Sequence, residues 1–149
     1  MTRQRLFDEI GGLPTLQDVH KRFYDKVYAH PWLKHFFAGH HQQAIEQRQT
    51  SFIAEKMGGP VQYPGKHPRM AHRHMYITNE LFDIRKALLR QSLVEAGVRA
   101  DLIPRWLKLD EAFRRVIVKD SIAGFYKTTW RYEKRIIVPK TTALASAGE

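Results

Sequence analysis

Leu16, Val19, Phe23 and Val27 recur at intervals of three and four residues, with Pro14 before them and His30-Pro31 after. That period puts four apolar side chains on one face of an α-helix over about residues 15–29. The flanking prolines stand where a helix begins and ends. The same period returns along the chain, and no segment shows sustained alternation with turn spacing. The spacing therefore predicts an all-α fold. At 149 residues the chain is one domain long enough to bury a core.

The other predicted elements follow from stops and periods. Residues 6–10 form a short helical turn ending at Gly11-Gly12, and the aromatic stretch 31–37 a brief turn under the core. A helix over about 42–57 carries Ile45, Phe52, Ile53 and Met57, with Gln49 in the gap of the apolar stripe. Gly58-Gly59-Pro60 stops it. Residues 60–68 read as a loop and 69–76 as a short segment. Thr78 or Asn79 caps a long helix to about 96, with Phe82, Leu89, Leu93 and Ala96 on one face and Leu81, Ile84 and Leu88 on a second. Asp101 is predicted to cap a last helix through Leu102, Trp106, Leu109, Phe113 and Val116, with Pro104 in its first turn. Residues 1–120 read as the domain. Residues 121–149 read as a basic-aromatic C-terminal extension, partly helical or disordered.

Several chemistries are excluded. There is no cysteine, hence no disulfide, thiolate metal site or cysteine nucleophile. The glycines do not form a phosphate loop, and no serine sits in a nucleophile elbow. The net charge of +10 is spread along the chain and reads as a solvated surface rather than a nucleic-acid interface. No apolar run reaches the roughly 20 residues of a membrane span, and no signal-peptide core follows the N-terminal charges. A soluble cytoplasmic protein is the expectation.

Two signals stand out. Gln49 in an apolar stripe must find a partner, at a cost of about 1–3 kcal/mol if it does not; it is either bonded to a nearby carbonyl or a donor aimed into a cavity. The Tyr24 hydroxyl leaves the same choice. His67, His72 and His74 make a cluster whose spacing around Pro68 is poor for zinc. An axial haem ligand asks for only one imidazole beside an apolar slot.

Read in order, Ile10-Gly11-Gly12, Phe23-Tyr24, Phe36-Phe37, Gln49, Phe52, Met57-Gly58-Gly59-Pro60, Tyr63, Gly65, Ala71-His72, Ile77 and Phe82-Asp83 resemble the truncated haemoglobins. The likeness spans about residues 6–120 and is nearest to group I of that family. It implies a 2-on-2 globin, two antiparallel helix pairs sandwiching haem b (iron protoporphyrin IX). It implies His72 as the iron ligand, with His74 the rival because His67-Pro68 is similar to the second group. Tyr24 and Gln49 match the ligand-stabilising pair. Phe37, Ile45, Phe52, Met57, Tyr63, Met70, Ile77 and Phe82 would line the haem, and Lys66 and Arg69 would meet its propionates. Arg85 departs from the pattern: the family usually has an apolar or aromatic residue there. Either its helix is rotated slightly or the arginine reaches towards a propionate.

The resemblance implies reversible binding of dioxygen, and of nitric oxide and carbon monoxide, at five-coordinate iron. Hydrogen bonds from Tyr24 and Gln49 would slow oxygen release. The alternatives are oxidation of nitric oxide to nitrate with a partner reductase, a peroxidase-like side activity, and a haem-based sensor acting through the extension.

Overall fold

The computed structural model describes residues 5–130 and 134–140, and these are helical with no strand. The order is α1 (Leu6–Glu9), α2 (Leu13–Ala29), a 3₁₀ helix (Leu33–Phe37), α3 (Gln42–Lys56), α4 (Pro68–His72), α5 (Asn79–Glu95), α6 (Ile103–Glu111), α7 (Arg114–Ile117) and α8 (Ile122–Thr128).

The α2 stripe is the floor of the core: Leu16, Val19, Phe23 and Val27 are each at most 1% exposed. Gly12 precedes the helix with φ of +74°, a conformation open to glycine at little cost. Helix α2 packs against α3 and α5, α5 against α6, and α4 against α7. The α5 start is capped as expected, with the Leu81 amide donating to Thr78 Oγ at 3.2 Å.

Two expectations fail at the last core helix. Asp101 does not cap it. The carboxylate pairs with Arg99 instead, and Leu102 holds the N-cap position with no side-chain bond. The helix is also broken in two. At the junction the Phe113 amide bonds to Asp110 O and the Val116 amide to Phe113 O, three residues back rather than four. This tightening ends α6 at Glu111 and starts α7 at Arg114.

Part of the C-terminal extension is ordered against the domain. Beyond α8, Ile136 pairs with Met75 in an isolated parallel bridge. The Ile136 amide donates to His74 O and Tyr76 donates to Ile136 O, both at 2.8 Å. Residues 131–133 and 141–149 lie outside the described residues. No described helix is long and apolar enough to cross a membrane.

Candidate functional site

Helix α4 is a single turn made possible by Pro68 at its start, where a missing amide costs nothing. His67 caps it, its Nδ1 accepting from the Arg69 amide at 3.2 Å. The turn brings His72 Nδ1 to 2.7 Å from Pro68 O. A carbonyl only accepts, so Nδ1 carries the proton and Nε2 keeps its lone pair. Burial lowers the His72 pKa to about 4, with Arg85, Lys119 and His74 adding to the fall and the Pro68 bond opposing it. The ring is therefore neutral near pH 7. An oriented, neutral imidazole with its far nitrogen bonded to a carbonyl is the form a metal-ligating histidine takes.

His74 is partly buried in the segment that pairs with Ile136, and burial followed by the Lys119 charge lowers its pKa. Lys119 reaches the same place: its Nζ donates to His72 O at 2.6 Å and to Ile117 O at 3.0 Å. Burial pushes that lysine down to about 8.

Tyr24 comes from α2 and is 5% exposed. Its ring meets Phe23 edge-on at 4.8 Å and Phe37 at 5.9 Å. Its hydroxyl makes no hydrogen bond to a described residue, and burial raises its pKa against the pull of Arg85. The side chain of Gln49, half-buried on α3, likewise bonds to no described residue. Of the two choices left by the sequence, a carbonyl partner is therefore not the one observed.

The apolar residues divide by exposure. Phe52, Met57 and Phe82 are buried; Phe37, Ile45, Tyr63 and Ile77 are half-buried; Met70 is 52% exposed. Tyr63 packs on Phe52 at 5.1 Å and donates its hydroxyl to Lys66 O at 3.0 Å. The Lys66 and Arg69 side chains are exposed and join no ion pair among the described residues. These residues fit a haem in their chemistry: one neutral imidazole with a fixed tautomer, half-buried apolar side chains, and two unbonded polar side chains.

Arg85 turns onto Asp110, Nη1 lying 2.8 Å from both carboxylate oxygens. His20 and Lys119 were not singled out by the sequence. His20 offered a faint signal, a histidine between Val19 and Phe23 on α2; Arg85 and Asp110 are 25 residues apart and offered none.

A family profile described as bacterial-like globin matches residues 5–119. Group 1 truncated haemoglobin of Tetrahymena pyriformis is 32% identical over 112 residues, 75% of this chain and 93% of that protein. Group 1 truncated haemoglobin GlbN of Mycolicibacterium paratuberculosis is 32% identical over 98 residues, 66% of this chain and 72% of that one. The crystal structure of the Tetrahymena pyriformis truncated haemoglobin in its Fe(III) form superposes with a TM-score of 0.73 at 31% identity, covering 78% of this chain and all of that chain.

Proposed function

Because the chain belongs to the bacterial-like globin family, as a truncated globin of 2-on-2 fold related to group 1, we propose that it holds haem b on His72 and reversibly binds dioxygen and other diatomic gases. The observation that carries this reading is the His72 Nδ1–Pro68 O bond, which leaves Nε2 as the one ring nitrogen able to hold a metal. Haem b, when bound, supplies a five-coordinate ferrous iron with one open position for a gas. Tyr24 and Gln49 donate hydrogen bonds to the gas, which their lack of partners among the described residues leaves them free to do. Phe37, Ile45, Phe52, Met57, Met70, Ile77 and Phe82 keep water out, with Tyr63 beside them. Lys66 and Arg69 pair with the propionates. Residues 1–120 form the gas-binding domain, in keeping with a family match that ends at residue 119.

The test is an absorption spectrum of the purified protein, ferric, reduced and with carbon monoxide, beside His72→Ala and His74→Ala. A haem band that shifts with carbon monoxide and is lost or displaced only in His72→Ala supports the reading. Loss only in His74→Ala moves the ligand two residues, and no band after adding haemin overturns the reading.

One observation favours a second role, gas sensing through the C-terminal extension. Residues 134–140 pair with 74–76, two residues beyond His72. Protease cutting of the extension that changes on adding carbon monoxide supports this role, and cutting that does not change overturns it.

A further inference from the structure

Helix α4 has five residues, and a helix that short holds together only with help from its surroundings. Lys119 supplies that help at both ends of the stretch that follows. Its Nζ donates to His72 O, the carbonyl of the last α4 residue, at 2.6 Å, and its amide donates to Ile77 O at 2.8 Å. The Met75 amide donates to the same His72 carbonyl at 3.0 Å. A cation is well placed there, because the carbonyls at a helix C-terminus carry partial negative charge.

These bonds ask for a donor and not for a charge. The ammonium is held by two carbonyls, His72 O and Ile117 O at 3.0 Å, and by no carboxylate among the described residues. The side chain is half-buried, with Nζ 5.9 Å from the centre of the Phe125 ring. Phe125 is 1% exposed and belongs to α8, beyond the residues matched by the family profile. A neutral donor could bond a carbonyl here without the cost of drawing a charge out of water. The charge itself is therefore the feature that needs a reason, and where water is partly excluded its field is less screened.

We propose that Lys119 is a positioning residue that lays a positive charge on the main-chain side of His72 and so favours the ferrous over the ferric state of the iron His72 would hold. The inference rests on the haem-binding reading above, which requires ferrous iron. One electron, taken from an external one-electron reductant, lowers the charge on the iron by one, and no bond or proton changes hands at Lys119. A fixed cation nearby stabilises the state of lower positive charge. Because the ammonium is bonded to the carbonyl of the ligand residue itself, the charge keeps its place whenever α4 shifts.

The experiment is a redox titration of the haem-loaded protein, followed by absorption, with dithionite and redox dyes at pH 7 and fixed ionic strength. Lys119→Gln keeps a donor and removes the charge, Lys119→Met removes both, and Lys119→Arg keeps the charge. In Lys119→Gln the ferrous-to-ferric ratio at a given potential should fall about tenfold, equivalent to about 59 mV. Lys119→Met should match it, and Lys119→Arg should fall by less than about threefold. Melting temperatures of the apoproteins identify any variant that loses its fold, and Lys119→Gln is expected close to the parent. A parent-like potential in Lys119→Gln overturns the proposal while the haem reading stands. Equal falls in all three variants, or a fall in Lys119→Met alone, assign the effect to the lost bond and overturn it too. A protein that takes up no haem overturns both readings.

Discussion

His20 Nδ1 and Thr50 Oγ lie 2.7 Å apart between α2 and α3, with the histidine 1% and the threonine 6% exposed. His20 stands one turn before Tyr24, and Thr50 one residue after Gln49. The bond thus ties together the two helices that carry the proposed gas-side donors. Trp106 meets the ring edge-on at 6.0 Å. Burial, and then the Arg85 charge, lower the His20 pKa from 6.5 to about 3. Between these values the unfolded chain binds a proton that the folded chain does not. Stability is therefore full above about pH 6.5 and falls as pH drops towards 3. At pH 5 the histidine alone accounts for a loss of about 2 kcal/mol. His72 shifts in the same direction, so the informative quantity is a difference. In urea unfolding of the apoprotein from pH 7 to pH 5, His20→Gln should lose about 2 kcal/mol less than the parent. Equal losses would show that His20 protonates without opening the core.

Tyr24 should matter to function far more than to stability. Its hydroxyl bonds to no described residue and is not sealed from solvent, so Tyr24→Phe removes no protein bond. The apoprotein should therefore unfold within about 1 kcal/mol of the parent. The same change should speed dioxygen release about tenfold or more in stopped flow, through the loss of a donor. A stability loss above about 1 kcal/mol would mean that the hydroxyl bonds within the protein.

The paired glycines after α3 differ in what they tolerate. A Cβ on Gly59 would lie 2.7 Å from the Phe7 ring and 3.0 Å from Ala54 O, so α1 could not stay seated. Gly59→Ala should cost about 1–3 kcal/mol by overpacking. Gly58 has φ of +85°, and a Cβ there would meet only the flexible Arg5 side chain, at 3.3 Å. Gly58→Ala should cost about 1 kcal/mol, from backbone strain alone. Urea midpoints with the two costs reversed would contradict this account.

Helices α2, α3 and α5 were legible because their apolar residues repeat every three or four positions and their ends carry glycine, proline or threonine. The Tyr24 and Gln49 side chains stood out in the sequence as polar groups without an obvious partner, and His72 through the family resemblance, by its distance from Ile77 and Phe82. The break after Glu111 was hidden because Phe113 and Val116 keep the helical period across it; the period records a shared face, not unbroken hydrogen bonding. Asp101 was misread because Arg99, two residues away, competes for its carboxylate. Arg85–Asp110 and His20–Thr50 span 25 and 30 residues, and only tertiary packing brings such pairs together.

The C-terminal strap offers a test of how far stability is shared. Residues 134–140 are held by the Ile136 amide on His74 O, by Tyr76 on Ile136 O, and by Trp32 Nε1 on Val138 O, each at 2.8 Å. Apart from half-buried Arg135, Ile136 and Val138, the segment is exposed. Few buried contacts mean that it should open locally, at a free energy well below that of the whole domain. Ile136→Pro removes one donor, and Trp32→Phe removes another while keeping an aromatic ring. Each loss is worth about 1 kcal/mol, or roughly a fivefold larger open population. Trypsin should therefore cut after Lys134 about five times faster in either variant, while the urea midpoint of the domain barely moves. If instead the midpoint falls by the full amount and cutting follows global unfolding, the strap belongs to the cooperative core. The segment beside His72 would then be held by the extension at every stage of unfolding, leaving no separate motion by which the tail could report on the haem.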